Sequence, residues 1–292
     1  MLDIASMMQD YVAHMHLQNL EGNSSTYLPG VHFYRASQSS VRQPLLYQSG
    51  IIIVGQGRKV IHLGDHAVQY GAGNYLVIGV PLPLECEAFV EDDQAILGLS
   101  IDVPPSLLHE LVNLLYLEQG LQSNNKQVLE CGLKAAKLDM AFQLSCIRLL
   151  DALKDKTAST ILGPGLIREI VYQVLVGPQR HTLLGLAQYE GHYARIAKAL
   201  NRVHVDYSKE ISVEALASEA NMSVSAFHRA FRQVTMESPL QYLKKVRLGK
   251  AKELIHVGGK RTNEVANLVG YSSPSQFSRE FKRHFNQSPS SY

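Results

Sequence analysis

Two short stretches near the C-terminal end contain the side chains with the clearest chemistry in this chain. The first contains His228, Arg229 and Arg232, and the second contains Arg279 and Lys282. Within each set, neighbouring members are either adjacent or three residues apart. Such spacing places them on one side of a helix. Guanidinium groups donate paired hydrogen bonds to guanine, and both cations neutralise phosphates. These residue types therefore indicate contacts with a nucleic acid.

The two stretches belong to an internal repeat that covers residues 211–292. Ala217 matches Ala266 at an offset of 49 residues, and the offset becomes 50 after one extra residue in the second copy. A repeated set of aromatic, basic and proline residues marks one structural unit that is used twice. At the offset of 50, five residues of the first copy have identical partners in the second copy, namely Phe227 with Phe277, Arg229 with Arg279, Phe231 with Phe281, Pro239 with Pro289 and Tyr242 with Tyr292.

Each copy predicts a helix, a tight turn and a second helix. Apolar residues recur at helical spacing in residues 211–220. Asn221 and Gly270 follow where a left-handed residue would end the first helix. Ser223 and Ser272 are the predicted N-caps of the second helices. A two-helix unit with a basic second helix is the shape that enters a major groove of DNA.

The positions in the second helices predict two classes of contact. Arginine suits guanine and glutamine suits adenine, whereas cations further along the helix meet phosphates. The alternative for each cation is a solvated charge, and for Arg279 it is an ion pair with Glu280. Because the two helices differ, we expect an asymmetric target within the footprint of one protomer. The expected base-reading residues are Ser225, His228, Arg229, Ser275, Gln276, Ser278 and Arg279, and the expected phosphate contacts are Arg232, Lys282 and Arg283.

A helix is predicted to connect the two units. Pro239 suits its first turn, and the apolar spacing continues to about His256. About 17 residues at ~1.5 Å each give ~26 Å. A rod of this length would hold two reading helices about one DNA turn, ~34 Å, apart on one side of the duplex.

The runs SPLQYLKKVRLGKAKELI and VANLVGYSSPSQFSREFKRHF resemble the AraC/XylS family of bacterial transcription regulators. The resemblance implies a DNA-binding domain of two helix-turn-helix units at residues 194–292. It also implies activation or repression of transcription, with double-stranded DNA and RNA polymerase as partners. Asn286 stands where the family usually has glycine, and asparagine tolerates the same left-handed conformation.

The first part of the chain has a different pattern. In residues 27–103, short apolar runs are separated by glycine-containing turns about every ten residues, which predicts an antiparallel sandwich or barrel. This part is similar to the cupin-like sensor domain of many AraC-family regulators. The predicted fold class is thus α+β with two domains, in which residues 1–185 form a cupin-like β-barrel with helices and residues 194–292 form the all-α double helix-turn-helix.

A barrel of this size can enclose a small molecule, so an effector is the expected ligand. Surface positions are the alternative for each residue that could line the mouth of the barrel. These candidate ligand-binding residues are Tyr34, Arg35, Arg58, His62 and Tyr75.

Helical patterns follow the strands. Ser106 is the expected cap of the first helix, an apolar stripe in residues 129–147 predicts a second, and residues 162–179 predict a third between Gly-Pro turns. A stripe this wide packs on its own barrel or forms a contact between chains. The resemblance favours a homodimer made by these helices.

No catalytic or cofactor-binding set is apparent. His62 and His66 flank the Gly64-Asp65 turn, they do not themselves form an HxH pair, and no glutamate follows them at a suitable distance. We therefore expect no metal, no cofactor and no enzymatic activity. Two alternatives remain, namely a metal-dependent cupin enzyme with a DNA-binding tail and a DNA-binding protein that has no effector.

Composition and charge agree with a nucleic-acid module joined to a globular body. Hydrophobic residues make up 46% and charged residues 18% of the chain, with no apolar run long enough for a membrane span and no signal peptide pattern. Residues 206–292 contain 13 Lys and Arg against 8 Asp and Glu, although the net charge of the whole chain is only +2. Cys86, Cys131 and Cys146 are expected as buried free thiols in a reducing cytoplasm.

Overall fold

A two-sheet β-sandwich with a helical layer is followed by an all-helical C-terminal part. The computed structural model describes residues 3–47, 49–63, 66–119, 135–187 and 192–291. The strands are β1 (Gly22–Ser25), β2 (Val31–Ala36), β3 (Ser40–Tyr47), β4 (Gly50–Gln56), β5 (Arg58–Leu63), β6 (His66–Gly71), β7 (Asn74–Ile78), β8 (Leu82–Phe89), β9 (Ile96–Ile101) and β10 (Ala135–Lys137). The helices are α1 (Ile4–His14), α2 (Pro105–Gln119), α3 (Met140–Ala152), α4 (Lys156–Val176), α5 (Arg180–Ala187), α6 (His192–Asp206), α7 (Val213–Glu219), α8 (Val224–Thr235), α9 (Pro239–Val257), α10 (Thr262–Leu268) and α11 (Pro274–Phe285), and a 3-10 turn follows at Pro289–Ser291.

The strands form two antiparallel sheets that face each other. One sheet has the order β1-β2-β9-β4-β7-β10, and the other has the order β3-β8-β5-β6. Because side chains alternate along a strand, each strand directs one row into the space between the sheets and one row to an outer face. The predicted α+β fold class is confirmed, with the barrel in the form of a sandwich.

Helices α1 to α5 cover the outer face of the six-stranded sheet. Phe33 on β2 is buried in this layer, with its ring 4.8 Å from that of Tyr11 on α1. Ile51 and Ile53 on β4 are buried in the same core, and so is Phe142 on α3. The flank of the helical region that carries Phe142 therefore packs on its own sandwich, whereas Met140 and Leu144 of the predicted stripe are exposed.

Residues 135–137 correct one predicted helix. They form β10, which pairs with β7, and α3 begins only at Met140. The carboxylate of Asp139 caps α3 by accepting a hydrogen bond from the Phe142 amide at 2.8 Å. Helical spacing in the sequence could not reveal β10, because its backbone partner is a distant strand. Leu129 and Leu133, in the same predicted helix, lie outside the described residues.

Three further elements differ from the predictions. Helix α2 begins at Pro105, so Ser106 lies in its first turn and is not the cap. Gly163-Pro164 lies inside α4 and not at a turn, and Gly163 packs so closely on the Leu28 side chain that a Cβ would meet it at 2.6 Å. Strand β3 was not predicted. It contains Pro44, which is tolerated because β3 is an edge strand.

The C-terminal helices form the two predicted units, α7–α8 and α10–α11. Ser223 caps α8, and its equivalent on α11 is Ser273, which accepts from the Gln276 amide at 3.3 Å. The prediction of Ser272 was wrong because the extra residue of the second copy falls before the cap. Asn221 and Gly270 have φ of 50° and 85° in the two turns, as predicted.

Helix α9 is shared by the two units. Its first half places Tyr242 in the core of the first unit, with Phe231 at a centroid distance of 5.4 Å. Its second half places Leu248 and Ala251 in the core of the second unit. Pro239 occupies the first turn of α9, and the helix ends one residue beyond the predicted end. Tyr292 lies outside the described residues.

The remaining sequence predictions concern thiols and membrane spans. Cys86 and Cys146 are buried free thiols, as predicted, and Cys131 lies outside the described residues. Within the described ranges, no helix has the length and hydropathy that a membrane crossing requires.

Candidate nucleic-acid interface and sensor interior

Helix α8 presents the first predicted reading surface. Phe227 and Phe231 are fully buried on one side of the helix, with ring centroids 5.4 Å apart. These two rings fix the rotation of α8, so the opposite side faces solvent. The predicted contacts Ser225, His228, Arg229 and Arg232 are all exposed on α8.

Helix α11 presents the second reading surface in the same way. Phe277 and Phe281 are fully buried, with ring centroids 5.6 Å apart. Ser278 is only half-exposed, so it lies nearer the core than the other predicted contacts. The exposed predicted contacts on α11 are Ser275, Gln276, Arg279, Lys282 and Arg283.

Glu280 is bound inside the domain and not to Arg279. Its carboxylate accepts hydrogen bonds from Lys244 at 3.1 Å, Tyr271 at 2.8 Å and Gln276 at 3.1 Å. Burial acts to raise the pKa of Glu280, but these three hydrogen bonds outweigh it and lower the pKa, so the carboxylate stays ionised. The ion pair that was the alternative for Arg279 is therefore absent from this structure.

The cations of both reading surfaces are available to a ligand. Across the described part of the chain, no ion pair involves Arg279, and the same is true of Arg229, Arg232, Lys282 and Arg283. By contrast, Arg247 on α9 is structural, because it donates to the Tyr207 carbonyl at 2.7 Å and to the Lys209 carbonyl at 2.9 Å. Five cations without an ion pair thus lie on the two helices that the sequence pattern selected.

The sandwich separates the five candidate ligand residues. Tyr34 alone projects between the sheets, where its ring faces the Lys59 ammonium at 3.4 Å. Its neighbour Arg35 lies on the other face of β2 and donates to the Leu20 carbonyl at 2.9 Å. Tyr75 packs in the helical layer, 4.7 Å from the ring of Phe142.

Arg58 and His62 both lie on the outer face of β5. Arg58 pairs with Glu91 at 3.1 Å. His62 forms a 2.7 Å hydrogen bond with Glu87 of β8, a carboxylate that the sequence analysis did not place near it. The side chain of His66 and the Gly64-Asp65 turn lie outside the described residues. The described ranges contain no group of three or more residues suited to hold a metal ion.

Four residues between the sheets were not among the candidates. Lys59 on β5 is buried, and it lies on the same face as Ile61 and Leu63. The signal was present in the sequence, because a lysine that alternates in phase with apolar residues must enter the core. The polar side chains that share this interior with Tyr34 are Lys59, Tyr47, Tyr70 and Cys86.

The sensor and the DNA-binding helices are in contact. The Tyr242 hydroxyl donates to the Pro81 carbonyl at 2.6 Å and therefore accepts from His204 Nε2 at 2.7 Å. Burial lowers the pKa of His204 to about 4, so its ring is neutral at pH 7. This chain of hydrogen bonds joins α6 and α9 to the loop that precedes β8.

A cleft of about 390 Å³ lies beside this contact, between β3 and β8 of the sensor and α9 and the end of α11. Lys252 on α9 donates to Gln43 on β3 at 3.4 Å across it. Burial, together with Lys245, lowers the pKa of His284 to about 4. The cleft is lined mainly by the apolar surfaces of Pro44, Leu45, Leu84 and Phe285 and by the side chains of Lys245 and Lys252.

Comparison with protein families identifies both halves of the chain. A model described as the N-terminus of AraC-type transcriptional regulators matches residues 27–182. A helix-turn-helix domain model matches residues 216–292. The two matched regions correspond to the sandwich with its helices and to the pair of helical units.

Curated relatives are transcriptional regulators. The regulator AlkR of Acinetobacter baylyi is 31% identical over 187 residues, which cover 64% of this chain and 57% of AlkR. The activator RhaS of Salmonella heidelberg is 30% identical over 148 residues, which cover 50% of this chain and 52% of RhaS. The chain thus spans about half the length of the curated relatives it matches.

Among solved structures, the whole fold is similar to ToxT from Vibrio cholerae strain SCE256, which was crystallised with an unsaturated fatty acid bound. The TM-score is 0.60, with 11% identity, and the match covers 94% of this chain and 96% of ToxT. A second crystal structure of ToxT matches with a TM-score of 0.57 and covers 90% of this chain. At this level of identity the similarity establishes the fold alone.

Proposed function

This chain belongs to the AraC-type transcriptional regulators, and from that premise we propose that it is a sequence-specific DNA-binding regulator controlled by a small molecule in its sandwich. The proposal assigns residues 194–292 to DNA binding and residues 1–185 to sensing. One observation carries it: two repeated helices, built on a shared α9, expose cations that have no ion-pair partner in the described part of the chain.

The reading residues are divided by their position along each helix. Ser225, His228 and Arg229 on α8 lie nearer the N-terminal end, which enters the major groove first in helix-turn-helix proteins. On α11 the same position belongs to Ser275, Gln276, Ser278 and Arg279. Arg232, Lys282 and Arg283 lie one turn further along and meet phosphates. The half-exposed Ser278 is the weakest member of this set.

Control by an effector requires a path from the sandwich to the reading helices. The hydrogen bonds of Tyr242 with Pro81 and His204 offer such a path, because α9 carries both helical units. A ligand that favours one arrangement of the sheets would change the position of this contact and thereby the DNA affinity. If the chain is instead a DNA-binding protein that has no effector, no small molecule should alter its affinity for DNA.

The proposal includes a homodimer and excludes catalysis. Met140 and Leu144 on α3 and Ile161 on α4 are exposed apolar side chains on the helical layer, which supports a contact between two copies. His62, one of the two histidines on which a metal-dependent enzyme would depend, is bonded to Glu87 on the outer face of the sandwich. The expected location is the cytoplasm, and RNA polymerase is the expected partner during activation.

Replacement of Lys282 by alanine tests the electrostatic part of this function. We expect weaker binding to all DNA sequences and a slope of log affinity against log salt that is smaller by about 1, because one phosphate contact is lost. Fluorescence anisotropy at several potassium chloride concentrations measures both quantities. Lys156→Ala removes the same charge from the sensor and serves as the control. A loss confined to the operator sequence would instead make Lys282 a base-reading residue.

A further inference from the structure

Lys59 is a buried cation in the middle of the sensor. It is only 7% exposed, and its ammonium lies between the two sheets, 3.4 Å from the centroid of the Tyr34 ring. Within the described ranges, no carboxylate lies at ion-pair distance and no hydrogen bond reaches this ammonium. The nearest glutamates of β8, Glu85 and Glu87, point to the outer face, where they bind Arg42 and His62.

The groups that face Lys59 are proton donors and not anions. Tyr70 on β6 is its direct cross-strand neighbour. The Tyr47 hydroxyl lies 3.2 Å from that of Tyr70 and donates to Cys86 Sγ at 3.3 Å. Burial raises the pKa of Tyr34 to about 12 and also raises the pKa values of Tyr47, Tyr70 and Cys86, so these groups remain neutral.

The space between the sheets is open near this cation. Ile52 occupies the middle of the six-stranded sheet, and its side chain faces inward, yet it is partly exposed while Ile51 and Ile53 are fully buried. Ser100, its cross-strand partner on β9, is also partly exposed. The partial exposure of these two inward residues indicates that the two sheets do not close completely over this part of the interior. On the inner face of the sheet, the row of side chains next to that of Ile52 contains Tyr34, whose ring contacts Lys59.

We propose that this hollow binds a small organic acid with an apolar body, and that the carboxylate of the acid joins the Lys59 ammonium. A buried cation without a counterion is costly, and an anionic ligand removes that cost. One ammonium among neutral phenols matches one negative charge, whereas Ile52 and Leu76 offer apolar contacts to the rest of the molecule. The inference rests on the proposed effector site and names the class of its ligand.

The test measures binding of paired probes to the full-length protein by calorimetry at pH 7. Hexanoate, octanoate and phenylacetate are each compared with the corresponding primary amide. We expect the acids to bind at least about tenfold more tightly than the amides, because a charged hydrogen bond is lost in the amide. We also expect the affinity for the acids to fall about tenfold per pH unit above pH 8, because burial lowers the pKa of Lys59 to about 8.

Two variants locate the acid. Lys59→Met should reduce its affinity about 10- to 100-fold, whereas Lys252→Met, which removes a lysine from the interdomain cleft, should leave it unchanged. Circular dichroism and DNA affinity report whether each variant is folded. The inference is overturned if the amides bind as tightly as the acids, if none of the acids binds, or if Lys252→Met is the variant that loses them. If the amides bind and change the DNA affinity, the proposed function as an effector-controlled regulator still stands. If the wild-type protein does not bind DNA, the proposed function itself is wrong.

Discussion

Replacement of Arg279 by alanine is expected to weaken binding to the operator by about 1–3 kcal/mol and to relax selectivity at one base pair. Arg279 is exposed on α11, and Glu280 beside it is bound by Lys244, Tyr271 and Gln276. The guanidinium therefore has no ion pair in the described residues to break before it reaches guanine. Quantitative binding to an operator library with each position varied measures both effects.

Lys282→Ala is the matched control for Arg279→Ala, because it removes one exposed cation from the same helix. The two variants should differ in kind: one loses discrimination at a single position, and the other loses affinity for every sequence. Unchanged selectivity in Arg279→Ala, with an unchanged far-ultraviolet spectrum, would remove this residue from the base-reading set.

Replacement of Lys59 by methionine is expected to stabilise the free protein by about 3 kcal/mol at pH 7. Burial lowers the pKa of Lys59 from 10.5 to about 8, and one pKa unit corresponds to about 1.4 kcal/mol. The folded pKa lies below the unfolded value, so the unfolded state binds more protons between pH 8 and pH 10.5. As the pH increases through this window, the stability of the wild type therefore rises relative to that of the variant. Below pH 8 the buried charge destabilises the folded wild type by the full amount.

Urea denaturation of both proteins at pH 7 and pH 10 measures this difference. The phenols with raised pKa values occur in both proteins, so their contributions cancel in the comparison. A variant that is less stable than the wild type at pH 7 would mean that Lys59 has a stabilising anionic partner in the free protein. A difference that does not change between the two pH values would contradict the assignment of the effect to the charge of Lys59.

The double helix-turn-helix could be predicted because its determinants are local. The spacing of Phe227 with Phe231, the left-handed Asn221 and the capping Ser223 lie within a few residues of one another. The one error, Ser272 in place of Ser273, arose where the offset between the copies changes. An insertion in a repeat can be located only to within a few residues unless the structure shows which residue caps the helix.

The sensor site is less predictable, because polar character alone does not show on which face of a strand a residue lies. Tyr34 and Arg35 are adjacent and face opposite sides of β2, and Arg58 and Lys59 do the same on β5. The alternating pattern of β5 contained the information that Lys59 is inside. The hydrogen bond of His62 with Glu87 could not be predicted, because it depends on the pairing of β5 with β8.

Contacts between the two parts of the chain also lay beyond the sequence. Tyr242 and Pro81 are 161 residues apart, and no local pattern connects them. The sequence identifies Tyr242 only as a repeated aromatic residue, and the structure places it in the core. Its hydroxyl has the additional role of joining α9 to the sensor.

Hydroxyl-radical footprinting on an operator selected from genomic DNA fragments tests the central claim most directly. The shared α9 is 19 residues long, about 28 Å, so one protomer should place α8 and α11 in consecutive major grooves. We predict two protected patches on one side of the duplex, about 10 base pairs apart, with different sequences beneath them. A single patch for each protomer, or two patches with the same half-site sequence, would contradict the account.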